Sequence, residues 1–225
     1  MLYQKENEVV LFQHKGKVVA GLADQYFSKN PDVASERKTW TYELKDHLFT
    51  FTTDNGVFSK NEVDFGSKVM IEAFVPPDIT GPILDLGCGY GPVGLAIAKG
   101  NAEREVLGVD VNLRAVELAN ENAKNNNISN VTFIESDKFE GIAGHKFAAI
   151  LTNPPIRAGK KVVHEMFEQS KYALLDGGEL WVVIQKKQGA PSAQKKLETL
   201  FSSVELVTKQ KGYHIFKAKL FDSNK

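Results

Sequence analysis

Hydrophobic and polar positions change rhythm near residue 60. Before it, Glu43-Leu-Lys-Asp-His-Leu-Phe-Thr-Phe-Thr-Thr53 alternates and is rich in β-branched and aromatic residues. Asp54-Asn-Gly56 follows as a turn signal, then Val57-Phe58, so a small hairpin or meander is predicted. The polar stretch from Asp24 to Trp40, with Asn30-Pro31, reads as a loop or short helix. After residue 60, short apolar runs alternate with helical patterns. Strands are predicted at Ile83–Leu86, Glu105–Val109, Val131–Ile134, Phe147–Leu151, Glu179–Ile184, Val204–Val207 and Tyr213–Ala218. Helices are predicted at Lys68–Phe74 (stopped by Pro76-Pro77), Val93–Lys99, Leu113–Asn125, Val162–Leu174 (closed by Gly177-Gly178) and Ser192–Phe201. Repeated β–α units imply an α/β, Rossmann-like, seven-stranded and mostly parallel sheet covered on both faces. The last strand should be antiparallel, because only Lys211-Gly212 separates it from its predecessor. The organisation expected is a β-rich extension over residues 1–60 and a single α/β domain over 61–220.

Composition narrows this little. Apolar content of 42% and charged content of 25% are ordinary for a globular chain of 225 residues. No apolar run approaches the ~20 residues of a membrane span. The polar segment Met1–Glu8 does not resemble a secretory signal, which leads to an expected cytoplasmic location. One cysteine, Cys88, excludes an internal disulfide framework and a Cys-based zinc site, and no metal is expected. Net charge is zero, which argues against non-specific coating of nucleic acid, but the charge is unevenly placed. Residues 61–152 hold 7 basic and 13 acidic side chains, a balance of −6, whereas residues 153–219 hold 12 and 6, a balance of +6. An acidic cofactor half and a basic half facing a phosphate-bearing substrate is one reading, and a solvated, uneven surface is the other.

The first chemical motif is Asp85-Leu-Gly-Cys-Gly-Tyr-Gly91, between a strand and a helix. Glycines let the backbone turn sharply and approach a ligand, and the helix N-terminus offers free N–H groups. Gly89-x-Gly91-x-x-Gly94 also matches the dinucleotide fingerprint, so a nicotinamide-dependent dehydrogenase is an alternative. Asp85 counts against it, because a pyrophosphate gains nothing from a nearby carboxylate, whereas the methionyl ammonium of S-adenosylmethionine does. Asp110 ends the next strand, where a carboxylate can accept both ribose hydroxyls, and Asp137 follows the third, within reach of an adenine amino group. Gly87, Cys88, Val111 and Lys138 flank these positions and complete the expected cofactor wall with Asn153.

The second motif, Asn153-Pro-Pro-Ile156, follows the fourth strand and should share the sheet edge with the glycine loop. Two prolines fix φ and make a rigid corner that presents two acceptors, the Asn153 side chain and the Pro154 carbonyl. An exocyclic amine on a conjugated ring is a poor nucleophile. Two acceptors gripping its N–H bonds would orient it and localise its lone pair. No histidine is required as a base; His164 and His214 read as structural or surface residues.

At this point the chain resembles class I methyltransferases, and more closely the small-subunit ribosomal RNA guanine-N2 methyltransferase family. Val57-Phe-Ser-Lys-Asn-Glu-Val-Asp-Phe-Gly-Ser67, Leu84-Asp-Leu-Gly-Cys-Gly-Tyr-Gly91 and Thr152-Asn-Pro-Pro-Ile156 carry the likeness, over roughly residues 40–220. It implies S-adenosylmethionine as cofactor, with Asp85, Gly87, Gly89 and Gly91 at its methionine part, Asp110 at its ribose and Asp137 near its adenine. Asn153 and Pro154 would hold the target amine, and ribosomal RNA or the small subunit would be the partner of a monomer or weak homodimer. Longer relatives carry a degenerate N-terminal methyltransferase-like domain, where only a small extension is expected in these 225 residues. Many relatives place an aromatic residue fourth in the second motif, to stack on the flipped base; here it is Ile156, with Phe58 or Arg157 as substitutes. Phe58, Pro155, Ile156, Arg157 and Lys160 are thus the expected substrate contacts. Lys160, Lys161, Lys186, Lys187, Lys195, Lys196, Lys209 and Lys211 are candidates for binding phosphate. The alternatives are an N-methyltransferase acting on adenine, a protein glutamine or a small-molecule amine, and a non-catalytic RNA-binding module that retains the fold.

Overall fold

A computed structural model describes residues 29–221. Met1–Glu8 and the first part of the polar stretch, residues 24–28, lie outside the described residues. The rest of that stretch is irregular as far as Arg37, and at Lys38 it becomes a strand rather than continuing as loop or helix. Strands β1 (Lys38–Leu44) and β2 (His47–Thr53) form a two-stranded antiparallel sheet whose register pairs Leu44 with His47. The hairpin turn is therefore Lys45-Asp46, not the expected Asp54-Asn-Gly56. Both turn residues are left-handed (φ 47° and 61°), the conformation that two-residue hairpins demand. Neither is glycine, which hid the turn from a reading based on turn residues. It is held from outside: the Lys45 N–H donates to Glu72 Oε1 at 3.0 Å and Lys45 Nζ to the Phe74 carbonyl at 2.7 Å. Asp54-Asn55-Gly56 still turns the chain, with Gly56 at φ 83°, but it leads into an irregular segment rather than a partner strand.

Helix α1 (Phe65–Ala73) starts three residues earlier than predicted, because the Asp64 carboxylate accepts from the Ser67 N–H at 2.9 Å and caps it. Then come β3 (Ile83–Leu86), α2 (Pro92–Gly100), β4 (Val106–Asp110), α3 (Leu113–Asn125), β5 (Val131–Glu135), β6 (Phe147–Thr152), α4 (Lys160–Ala173), β7 (Leu174–Gln185), α5 (Ala190–Leu200), β8 (Ser203–Gln210) and β9 (Tyr213–Lys219). The seven-stranded sheet has the order β5-β4-β3-β6-β7-β9-β8. Only β9 runs against the others, pairing antiparallel with both β7 and β8 as expected. The segment after α4 also departs from the prediction. Gly177-Gly178 does not close a helix. Helix α4 ends at Ala173, and the glycines lie within β7, where Gly177 is left-handed and the β6–β7 register shifts. The pair is kept in the sheet by Gly177 N–H to Leu220 O (2.8 Å) and Leu220 N–H to Gly178 O (3.0 Å).

Side chains alternate across the sheet with the period of two that strands impose. Ile83, Ala149, Leu151, Trp181 and Val183 face one buried cluster with α1, α2 and α3; Leu84, Leu86, Ile150, Leu180, Val182 and Ile184 face a second with α4 and α5. Leu44, Phe49 and Phe51 of the hairpin belong to the first cluster. The outer edge of β2 is closed by Asn122 of α3 and by Asn126, the residue that caps the C-terminus of α3. Asn122 Oδ1 accepts from Thr52 N (2.7 Å) and its Nδ2 donates to Thr52 O (3.0 Å), while Asn126 does the same for Thr50 at 2.8 Å in each direction. Four residues of helix rise about 6 Å and two of strand about 6.7 Å, so this i, i+4 pair matches an i, i+2 pair. Among the described residues no helix is long and apolar enough to cross a membrane, and no cluster of His, Cys, Asp and Glu could hold a metal ion.

Candidate active site

The carboxyl ends of β3, β4, β5 and β6 bring both sequence motifs to one edge, beside the point where the strand order reverses between β3 and β6. The glycine loop leaves β3 with the N–H groups of Gly87 and Cys88 both donating to Val109 O at 2.9 Å. Gly87, Gly89 and Gly91 are all left-handed, at φ 82°, 54° and 95°. They divide by what they meet. A Cβ at Gly87 or Gly89 would stand in open space, so these two leave backbone accessible to a ligand. A Cβ at Gly91 or Gly94 would come within 3.0 Å of the Phe133 ring, and one on Gly108 of β4 within 2.2 Å of it. Phe133 is thus the buried strut under the loop, and Gly91, Gly94 and Gly108 make its seat.

Asp85 is buried, and its Oδ2 accepts from the Gly94 N–H at 2.8 Å, supplying the cap that Gly91 cannot give α2. Its Oδ1 has no hydrogen-bond partner among the described residues. Burial raises its pKa to about 7; the Gly94 N–H opposes this and the Asp110 carboxylate adds to it. Asp110 Oδ2 accepts from Gly89 N and its Oδ1 from Asn112 N, both at 2.9 Å, so it ties the loop to the start of α3. Burial raises its pKa as well, against these N–H groups. Cys88 points into the core, and burial pushes its thiol well up; Val111 is half-buried behind Asp110. Asp137 is exposed after β5, paired with Lys138 at 3.1 Å, and Lys138 is left-handed at φ 53°.

The second motif is joined to the first by Thr152, whose Oγ1 donates to Leu86 O at 2.8 Å. Pro155 takes φ −73° and ψ 79°, and the Ile156 N–H donates back to Pro154 O at 2.8 Å. That inverse γ-turn fixes the direction of the Pro154 carbonyl and occupies one of its two lone pairs. Asn153 is half-buried and donates through Nδ2 to Asp64 Oδ2 and Ser67 Oγ, each at 3.0 Å. These two partners were not singled out from the sequence as site residues, although both lie in the Val57–Ser67 segment. Ile156 packs against the second core cluster, while Phe58, Arg157 and Lys160 are exposed and share no hydrogen bond with Asn153. Lys160, Lys161, Lys186, Lys187, Lys209 and Lys211 are exposed and make no ion pair among the described residues, whereas Lys196 pairs with Glu168. The Lys186 N–H donates to Gly212 O at 2.7 Å, which brings Lys186 and Lys187 beside the β8–β9 turn that bears Lys211, with Lys209 at the end of β8. Lys211 Nζ lies 4.6 Å from the centroid of Phe65, the residue next to Asp64.

The methyltransferase small-domain family matches residues 48–217. Uncharacterized protein YbxB of Bacillus subtilis (strain 168) is 56% identical over 88% of this chain and 99% of its own length. Ribosomal RNA large subunit methyltransferase G of Streptomyces avermitilis is 32% identical over 90% of this chain and 57% of its own length. Among solved structures, the T. thermophilus 16S rRNA N2 G1207 methyltransferase, in complex with S-adenosylmethionine and guanosine, superposes with a TM-score of 0.73 at 26% identity, over 84% of this chain and 52% of that one. The chain therefore spans little more than half the length of these two ribosomal RNA methyltransferases.

Proposed function

We propose that this chain, which belongs to the methyltransferase small-domain family and has the class I methyltransferase fold with S-adenosylmethionine as methyl donor, methylates an exocyclic amine of ribosomal RNA, guanine N2 of the small-subunit RNA first. The observation that carries this reading is the placement of an Asn-Pro-Pro corner beside the glycine loop, latched by the Thr152–Leu86 hydrogen bond. The residues present fit the donor: Gly87 and Gly89 leave open space, and Asp85 Oδ1 is a buried carboxylate oxygen with no hydrogen-bond partner among the described residues. Asp85 would face the donor's ammonium, Asp110 its ribose and Asp137 its adenine, with Gly87, Gly89 and Val111 along the wall. The role expected of Gly91 passes to backbone alone, since its α-carbon faces Phe133, and Cys88 contributes through its main chain.

S-adenosylmethionine supplies a methyl group on a sulfonium that departs as a neutral thioether. The acceptor nitrogen contributes its lone pair to the new N–C bond and then loses a proton to solvent. Asn153 Oδ1 and the remaining lone pair of Pro154 O accept the two N–H bonds of the amine and hold its lone pair in line. No acid or base is needed at the moment of transfer. Phe58, Pro155, Ile156, Arg157 and Lys160 would border the acceptor base, and the lysines around Lys186 and Lys211 would meet RNA phosphates. This reading places the protein with ribosomes in the cytoplasm.

The likeness to a large-subunit methyltransferase favours one second reading, in which the acceptor lies in 23S RNA. Mapping modified bases in both RNAs from cells lacking the protein separates the two, and a full complement of methylguanines would sink both. Asn153→Ala should leave donor affinity within about twofold and lower turnover by ~100-fold or more, the scale of removing one hydrogen bond to developing charge. Single-turnover methylation of ribosomal RNA with labelled donor reads this, and surviving turnover would rule out the grip on the amine.

A further inference from the structure

A primary amide can sit either way round, and only one orientation presents an acceptor to an amine. Asn153 Nδ2 donates to Asp64 Oδ2 and to Ser67 Oγ, both at 3.0 Å, so both of its hydrogens are engaged on the α1 side. A carboxylate has no hydrogen to give; turning the amide over would set Asn153 Oδ1 against Asp64 Oδ2, two acceptors face to face. We propose that Asp64 and Ser67 are positioning residues that lock the Asn153 amide with Oδ1 toward the acceptor amine. The claim rests on the amine N-methylation proposed above.

The lock joins two rigid bodies. Asp64 Oδ2 also accepts from the Ser67 N–H at 2.9 Å, so the oxygen that orients Asn153 is the one that caps α1. That helix is seated in the core through Val69, Met70 and Ile71. On the other side, Asn153 is held between β6 and the Pro154-Pro155 corner. Rotation of the side chain thus breaks two hydrogen bonds at once. The carboxylate does electronic work too. Hydrogen bonds from Nδ2 to a negative charge draw electron density toward Oδ1, which strengthens it as an acceptor. As positive charge develops on the methylated nitrogen, Oδ1 meets it with Asp64 one amide behind.

Helix capping and amide orientation are separable at this residue. Asp64→Ser keeps a side-chain oxygen able to cap α1 but is too short to reach Asn153, whereas Asp64→Asn keeps an oxygen that the Ser67 N–H pins as an acceptor. Asp64→Ser should lower kcat by roughly 100-fold, with the KM for RNA and the calorimetric Kd for donor within about twofold. Asp64→Asn should recover at least about tenfold of that loss, because the acceptor oxygen is retained. In an Asn153→Ala background Asp64→Ser should change kcat by less than about twofold, because there is no amide left to orient. A further readout does not depend on catalysis: the Asn153 side-chain amide signal in a nitrogen–proton NMR spectrum, identified by its loss in Asn153→Ala, should move in Asp64→Ser and in Ser67→Ala. An unmoved signal overturns the proposal, as does wild-type turnover in Asp64→Ser or an equal loss in both backgrounds. A wild-type enzyme that methylates no ribosomal RNA overturns the functional reading instead, and the NMR result then decides the lock alone.

Discussion

Asp85 and Asp110 are two carboxylates at the glycine loop, and burial raises the pKa of both. For Asp85, at about 7, the direction has a consequence for pH. Its folded value lies above its unfolded value, so the ligand-free fold holds the proton more tightly than the unfolded chain does. Its contribution to stability therefore declines as pH rises from the unfolded pKa toward 7 and is level above that. A cationic donor favours the ionised form, so donor binding should tighten as pH rises through the interval below 7, with release of up to one proton. Calorimetry in buffers of different ionisation enthalpy, comparing wild type with Asp85→Asn, reads it; identical pH profiles would remove Asp85 from the donor site. These residues were legible from sequence because each stands at the end of a strand in a short motif. Asp64 was not legible in its role, because its partner Asn153 is 89 residues away and only folding joins them.

Elements were legible to different degrees for physical reasons. Helix α3 was read to its ends, Leu113–Asn125, because its small and apolar face is regular and Asn112 caps it, accepting from Ala115 N at 3.2 Å. The hairpin turn at Lys45-Asp46 and the run of β7 through Gly177-Gly178 were not. In both, tertiary hydrogen bonds hold a conformation that local residue preferences do not announce. Asn122 of α3 and its C-cap Asn126 show what such bonds are worth. Asn122 is fully buried and also donates to Tyr90 O at 3.0 Å, so one side chain ties β2, α3 and the glycine loop together. Asn122→Ala would leave Thr52 N, Thr52 O and Tyr90 O unsatisfied and should cost roughly 2–4 kcal/mol of stability. Urea unfolding measures this. The same variant should weaken donor binding more than Asn126→Ala does, since among the described residues Asn126 bonds only to the hairpin and its own helix; equal effects would contradict the link to the loop.

At the scale of the molecule, the charge division has a spatial meaning. The segment with a balance of −6 builds α1 and the part of the sheet from β3 to β6, and the segment with +6 builds α4 through β9. Two turns on the basic half, around Lys186-Lys187 and Lys209–Lys211, are clamped together and carry charges that form no ion pair among the described residues. Reversing Lys186 and Lys211 to Glu should weaken RNA binding across sequences and flatten its logarithmic salt dependence by about one unit for each lysine–phosphate pair removed. Filter binding at several salt concentrations checks this, with donor affinity as the control; an unchanged slope would mean these lysines are only solvated surface. The sheet class and its acidic and basic halves were readable from the chain, whereas the pairing of the two turns was not, since it depends on β9 returning between β7 and β8.

The seam between β3 and β6 also bears on descent and redesign. On the proposed function the donor would sit on one side of it and the acceptor on the other, and the two strands are bridged at their tips by the Thr152 hydroxyl on Leu86. A fold divided in this way can exchange its recognition half while inheriting its fuel supply. A chimera that keeps residues up to Leu151 and borrows the remainder from another amine methyltransferase should stay loaded with the same donor while changing what it modifies, provided the borrowed corner brings a hydroxyl for Leu86 and an amide for Asp64.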